Sequence, residues 1–134
     1  MEHTLKGSEY LYNHPEKRGE DFMNVFKDNS IKGIFLCIGG DENIRMLPFI
    51  DFNIIKENPK VFIGYSDITV AHMMCLKAGV SSFYGSAILS DFAENVRMFN
   101  YIKYWINKVL FNKDQMGEIH KVGGAYSIYT ILVA

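Results

Sequence analysis

One short stretch carries residue types in an order that could do chemistry. Gly64-Tyr65-Ser66-Asp67 follows the apolar run Val61-Phe62-Ile63 and precedes Ile68, Ala71, Met74, Cys75 and Ala78, which fall at helical spacing. The pattern predicts a strand, a sharp turn and a helix. Gly64 permits a backbone path that a Cβ would obstruct. Ser66 then stands at the turn, beside the amides that open the helix and lack intrahelical partners. A serine so placed can attack an acyl group while neighbouring N–H groups receive the oxyanion. Ser66-Asp67 equally fits an ordinary helix N-cap. The stretch is half of a nucleophile elbow, since Ile68 replaces the second glycine of G-x-S-x-G.

A second candidate is Gly39-Gly40-Asp41, directly after the apolar run Ile34-Phe35-Leu36-Cys37-Ile38. Two glycines there put bare backbone at the carboxyl edge of a sheet, where open α/β sheets bind ligands. A plain glycine-rich turn is the competing reading. The phosphate-loop pattern is missing. The histidines offer no base from spacing alone. His72 lies six positions after Ser66, about 600° and about 9 Å along one helix, so it cannot face the hydroxyl. It reads as a packed or surface histidine. His3, His14 and His120 fall in loops or tails with no partner motif. No Cys/His spacing resembles a zinc site, and Tyr10, Tyr12, Phe83 and Tyr84 read as packing residues.

The elements that must position these residues are legible in outline. Residues 1–13 read as a loop. His14-Pro15-Glu16 opens a helix that ends at Asp28-Asn29-Ser30, with Pro15 at its first position and Glu16 at its positive end. Residues 31–38 read as a strand covered on both faces, residues 52–57 as a short helix, 81–84 as a third strand and 101–110 as a helix. Residues 45–51 are compact and apolar, and 91–100 read as a linker or short helix. Gly79 caps the helix that follows Ser66. Strands alternating with helices argue for an α/β fold with a parallel sheet. The 134 residues allow one domain, and 14 basic against 15 acidic residues give no electrostatic case for nucleic acid or an anionic membrane. Cys37 and Cys75 lie in apolar runs and read as buried, reduced thiols. No signal segment or bilayer-spanning run is visible, which points to a cytoplasmic protein.

Taken together, Gly7-Ser8-Glu9-Tyr10, His14-Pro15-Glu16-Lys17-Arg18, Ile38-Gly39-Gly40-Asp41, Arg45-Met46-Leu47-Pro48-Phe49-Ile50-Asp51, Asn58-Pro59-Lys60, Gly64-Tyr65-Ser66-Asp67-Ile68-Thr69 and Phe83-Tyr84-Gly85 form an ordered set. The set resembles the serine peptidases of the L,D-carboxypeptidase family, S66, and within it the branch of microcin C immunity peptidases. The resemblance covers residues 5–119. It implies a three-layer α/β domain of flavodoxin-like or glutaminase-like type, with helices on both faces of a parallel sheet. It implies Ser66 as nucleophile, with backbone amides near Gly39 and Gly40 and at Asp67 forming the oxyanion and substrate site. It implies hydrolysis of an amide next to a carboxyl terminus, in a murein tetrapeptide or a peptide–nucleotide antibiotic, without metal or other cofactor.

The departures from the family shape the expectation for these 134 residues. The family's first strand and helix have no counterpart before Leu5, so the sheet is expected to be incomplete at its N-terminal edge. The family's catalytic Glu and His come from a C-terminal domain, and none of the four histidines here matches them. Residues 1–119 thus read as a partial N-terminal domain that is inactive alone, and 120–134 as a non-family apolar tail. The alternatives are a non-catalytic ligand-binding or interaction module, a homodimer, or one half of a split enzyme that pairs with a C-terminal partner. Residues 126–133 (Tyr-Ser-Ile-Tyr-Thr-Ile-Leu-Val) are β-branched and aromatic, with no charge or proline. They are expected to be strand-like wherever they dock and to make a marginal chain aggregation-prone. Urea unfolding of the full chain and of a chain ending at His120 checks this. Cooperative unfolding with a high midpoint in both overturns it.

Overall fold

Strand β1 (Gly33–Phe35), strand β2 (Val61–Gly64) and strand β3 (Phe83–Tyr84) lie side by side in that order, all parallel. The computed structural model describes residues 1–95, 97–112 and 114–119. Parallel neighbours need crossover connections, and helices supply them here. Phe35 pairs with Ile63, and Ile63 in turn with Phe83. That register brings the ends of all three strands to one edge.

Helix α2 (Pro15–Lys27) starts at Pro15 with Glu16 in its first turn, as its opening residues predict. Helix α3 (Phe52–Glu57) matches the expected short helix and is capped by Asp51, whose side chain accepts the Asn53 N–H. Helix α4 (Thr69–Lys77) ends where Gly79 predicts. Gly79 has φ +78, its N–H bonds to Leu76 O, and Val80 N–H bonds to Cys75 O, the paired closure of a Schellman motif. Helix α5 (Asn100–Ile106) begins one residue before its expected start and continues as a wider turn through Phe111.

The core lies where α2, α3, α4 and the 3-10 helix Asn43–Phe49 meet one face of the sheet. Phe26, Ile55, Phe62 and Cys75 are fully buried there. Phe22 and Phe26 of α2 pack on Phe62 of β2 with ring centroids 5.9 and 6.3 Å apart. Burying one such side chain is worth about 1.5–3 kcal/mol. Phe35, whose side chain points to the opposite face, meets Phe92 edge-on at 5.6 Å. Lys60 is a buried cation, and its Nζ donates to the carbonyls of Asp28 and Ile31, both at 2.8 Å. It thereby ties the connection after α2 to the start of β2.

Four expectations are corrected. Residues 1–13 are not all loop: helix α1 (Ser8–Asn13) occupies their second half. The first strand is shorter than residues 31–38. Its ladder ends near Leu36, whose N–H reaches Ile63 O, and the Leu36 and Cys37 carbonyls instead accept from Ile88 and Leu89. The stretch beyond the ladder is therefore not doubly covered. Ile38 is 59% exposed, and Cys37 is exposed rather than buried. His3 is not partnerless. It is buried against Asp21, with Nδ1 3.0 Å from Oδ1 and its backbone N–H on Oδ2. Burial alone would raise the Asp21 pKa, but the bonds from His3 and Thr4 outweigh it and hold the carboxyl below its ordinary value. The expected strand at 126–133 lies outside the described residues.

Gly19 gives a stability test. Helix propensity favours Ala over Gly, yet a Cβ on Gly19 would stand 2.7 Å from Phe49 Cβ. Gly19→Ala is expected to destabilise by about 1–3 kcal/mol through overpacking, read as a lower urea midpoint at unchanged slope. A gain in midpoint would show that propensity wins.

Candidate active site

The path of the chain out of β2 places Ser66. Gly64 ends the strand, Tyr65 is extended, and Ser66 adopts φ +65. A 3-10 turn over Ser66–Ile68 then feeds α4. The left-handed conformation is unusual for serine and costs on the order of 1–3 kcal/mol, so its surroundings must impose it. Ser66 N–H donates to the Tyr84 hydroxyl at 3.2 Å, and Ser66 O accepts from Thr69 Oγ1 at 2.6 Å. Ser66 is exposed, and its Oγ bonds to no other described residue. The sequence places Tyr84 among the packing residues, and its ring does lie 5.5 Å from that of His72. Tyr84 is half exposed and meets the turn through its hydroxyl. The only signal for that role is its place in the Phe83-Tyr84-Gly85 motif.

Glycines allow the turn to sit against the neighbouring loop. A Cβ on Gly39 would lie 2.7 Å from Ser66 Cβ and 2.8 Å from its Oγ. A Cβ on Gly64 would lie 3.1 Å from Leu36 Cβ and from Ile68 Cγ2. Gly40 has φ +146 and open space around it. The Gly40 N–H donates to no described residue, and Asp67 N–H lies in a first helical turn, where intrahelical acceptors are lacking. Ser66, Gly39, Gly40 and Asp67 thus share one edge, as the spacing predicts. The capping reading of Ser66-Asp67 is not what forms: no side chain caps this turn, and Asp67 Oδ2 accepts the N–H of Asn43 at 3.0 Å. The arrangement could accept a carbonyl above Ser66 Oγ and meet its oxygen with amide N–H groups.

The chain has clear relatives. The profile of the LD-carboxypeptidase N-terminal domain, Peptidase S66, matches residues 1–85. The microcin C7 self-immunity protein MccF of Escherichia coli is 37% identical over 81 residues, which are 60% of this chain and 24% of that protein. The crystal structure of an MccF-like protein from Streptococcus pneumoniae in complex with AMP superimposes with a TM-score of 0.72 at 36% identity. It covers 80% of this chain and 32% of that one. A muramoyltetrapeptide carboxypeptidase from Oxalobacter formigenes gives a TM-score of 0.66 at 29% identity, over 72% of this chain and 34% of that one. The chain therefore spans about a quarter to about a third of the length of these relatives.

His72 bonds to Gly64 of β2 and to Ser82, just before β3, and not to Ser66. Its Nδ1 lies 2.8 Å from Ser82 Oγ and its Nε2 2.9 Å from Gly64 O. Because a carbonyl only accepts, Nε2 carries the proton and Nδ1 accepts from Ser82. The buried ring also packs edge-on against Phe62. Burial pushes the His72 pKa below 6.5, and the bond to Gly64, which favours the cation, only partly offsets this. Above that value the ring is neutral in both folded and unfolded chains. Below it the unfolded chain takes up a proton that the folded one refuses, so stability is lost as pH falls through the folded pKa. Urea titrations between pH 7 and 5 are expected to show this loss, at most about 1.4 kcal/mol per pH unit, and His72→Gln to flatten it. An unchanged slope in the variant would remove His72 as the cause.

Proposed function

Because the chain belongs to the LD-carboxypeptidase family, Peptidase S66, through its N-terminal domain, we propose that it carries the nucleophile-bearing part of a serine carboxypeptidase. The substrate is an amide next to a terminal carboxylate, in a murein tetrapeptide or a peptide–nucleotide of the microcin C type. Ser66 Oγ forms a bond to the carbonyl carbon, and the resulting oxyanion is held by the N–H groups of Gly40 and Asp67. The C–N bond then breaks, the amine leaves with a proton, and water hydrolyses the acyl-serine. Such acyl transfer requires neither metal nor cofactor. The observation that carries this reading is the left-handed Ser66, exposed at the end of β2 with Gly39 packed against it. The relatives named carboxypeptidase and microcin self-immunity protein agree with it.

These residues do not by themselves complete the machinery. A serine hydroxyl is not ionised near neutral pH without a base. Among the described residues, no imidazole or carboxylate bonds to Ser66 Oγ, and both His72 nitrogens are engaged elsewhere. The Glu and His that the family resemblance implies have to come from outside the described residues. The 134-residue chain alone is accordingly expected to leave a murein tetrapeptide and a peptide–nucleotide uncleaved by mass spectrometry. Where excess p-nitrophenyl acetate at alkaline pH, with hydroxide as the base, acylates any hydroxyl, it is expected to be that of Ser66 beside the Gly40 and Asp67 amides, as located by peptide mapping. Turnover abolished by Ser66→Ala would overturn the inactivity. Acylation that spares Ser66 would overturn the nucleophile and favour a non-catalytic binding module.

A further inference from the structure

Residues 41–43 are gripped from three sides. The Asp67 carboxylate reaches across to the Asn43 N–H, a contact between residues 24 apart. Asn43 is buried, and its Oδ1 accepts from Arg18 Nη2 at 2.7 Å. The other end of the same guanidinium, Nη1, donates to Asp41 O at 3.3 Å. Between them Glu42 takes φ +65, and its carboxylate lies 3.0 Å from Arg45 Nη1. Arg45 in turn donates to Tyr12 O at 2.7 Å and stacks over the Tyr12 ring at 4.2 Å. A loop entered through Gly39-Gly40 and containing a left-handed Glu42 has no ladder to fix it. These side chains do so instead.

We propose that Arg18, Asn43 and the Asp67 carboxylate form a clamp of positioning residues that sets the Gly39-Gly40 backbone at a fixed distance from Ser66. The inference rests on the reading of Ser66 as nucleophile. Arg18 bonds to Asp41 and Asn43 and to no atom of Ser66 or of Gly39-Gly40. It acts through Asn43, which hands its own N–H to the residue that follows Ser66. The guanidinium is a planar fork that serves two acceptors at once, and a lysine ammonium keeps the charge without that geometry. Arg18 and Arg45 also bring positive charge to a loop that holds Asp41 and Glu42, beside a cradle meant for an oxyanion.

Phenylboronic acid tests the clamp, because it forms a tetrahedral adduct on a serine and mimics the oxyanion. Boron NMR on the full chain reads the adduct, and Ser66→Ala must abolish it. Arg18→Met is expected to weaken adduct formation about tenfold, less than the roughly hundredfold that a misplacement of about 1 Å can cost. Arg18→Lys is expected not to restore it, and Lys17→Met, which removes only the exposed pair with Glu20 on the same helix, to leave it unchanged. A purely structural arginine would lower the melting midpoint and leave the affinity of the folded protein intact, and that result overturns the clamp. If Arg18→Met does not fold, Arg18→Lys decides by the same criterion. If the wild-type chain forms no adduct, as a serine without a base allows, the nucleophile reading is decided by the acylation mapping instead. The clamp is then judged by the amide resonances of Gly40 and Ser66, which touch no part of Arg18. Movement of both in the Arg18 variants supports it, and unmoved resonances overturn it.

Discussion

The close approach of Gly39 to Ser66 is the constraint on which the site depends. Parallel strands in register must end together, so the exits of β1 and β2 lie side by side. Two loops leaving adjacent strands would ordinarily be kept apart by their side chains. Here one of them presents no Cβ, and the other turns through a left-handed serine, so Ser66 packs where a Gly39 side chain would stand. The bonds around the turn then follow from that closeness. Tyr84 at the end of β3 and Thr69 at the start of α4 hold the Ser66 peptide groups, and Asp67 holds the opposite loop. The strain at Ser66 is sustained by a sheet and a helix that have their own reasons to be where they are.

The core is built to keep those supports still. Phe62 lies in the same four-residue strand that leads into the turn, with Phe26 on one side and His72 on the other. His72 also accepts the role of a structural bracket, joining Ser82 to the Gly64 carbonyl just before the turn. Gly64 O receives the Gly85 N–H as well, so the ends of β2 and β3 are tied together. Ile38 and Leu89 are both exposed, and the Leu89 N–H bonds to the carbonyl of Cys37, the residue before Ile38.

How far this could be read from residues alone depended on whether the cause was local. Pro15 and Gly79 mark helix ends through their own backbone preferences, and α2 begins and α4 ends there. The α/β order followed from apolar runs alternating with helical spacing. The candidate positions Ser66, Gly39, Gly40 and Asp67 meet at one edge, because parallel strands leave their carboxyl ends no other place. What stayed hidden was non-local. The length of β1 is decided by where Ile63 stops offering partners and Ile88 begins, which no pattern in residues 31–38 contains. The Asp67 side chain has a capping option in its own turn and a bond 24 residues away, and only the fold selects between them. His3 and Asp21 gave no motif because their partnership is made by α2 passing the N-terminal segment. Ser66 carries no mark of its left-handed backbone, since serine does not prefer it.

The two cysteines differ in a way that makes the edge observable. Cys75 is fully buried in α4, and burial pushes its thiol up to about 11, so it stays protonated and shielded from alkylating reagents. Cys37 is exposed, two residues before Gly39. A maleimide dye therefore attaches at one place without any engineering of the chain. That place lies on the strand exit that leads into the glycine loop. Fluorescence from such a dye would report the arrival of a small molecule, or of another polypeptide segment, at the edge that holds Ser66.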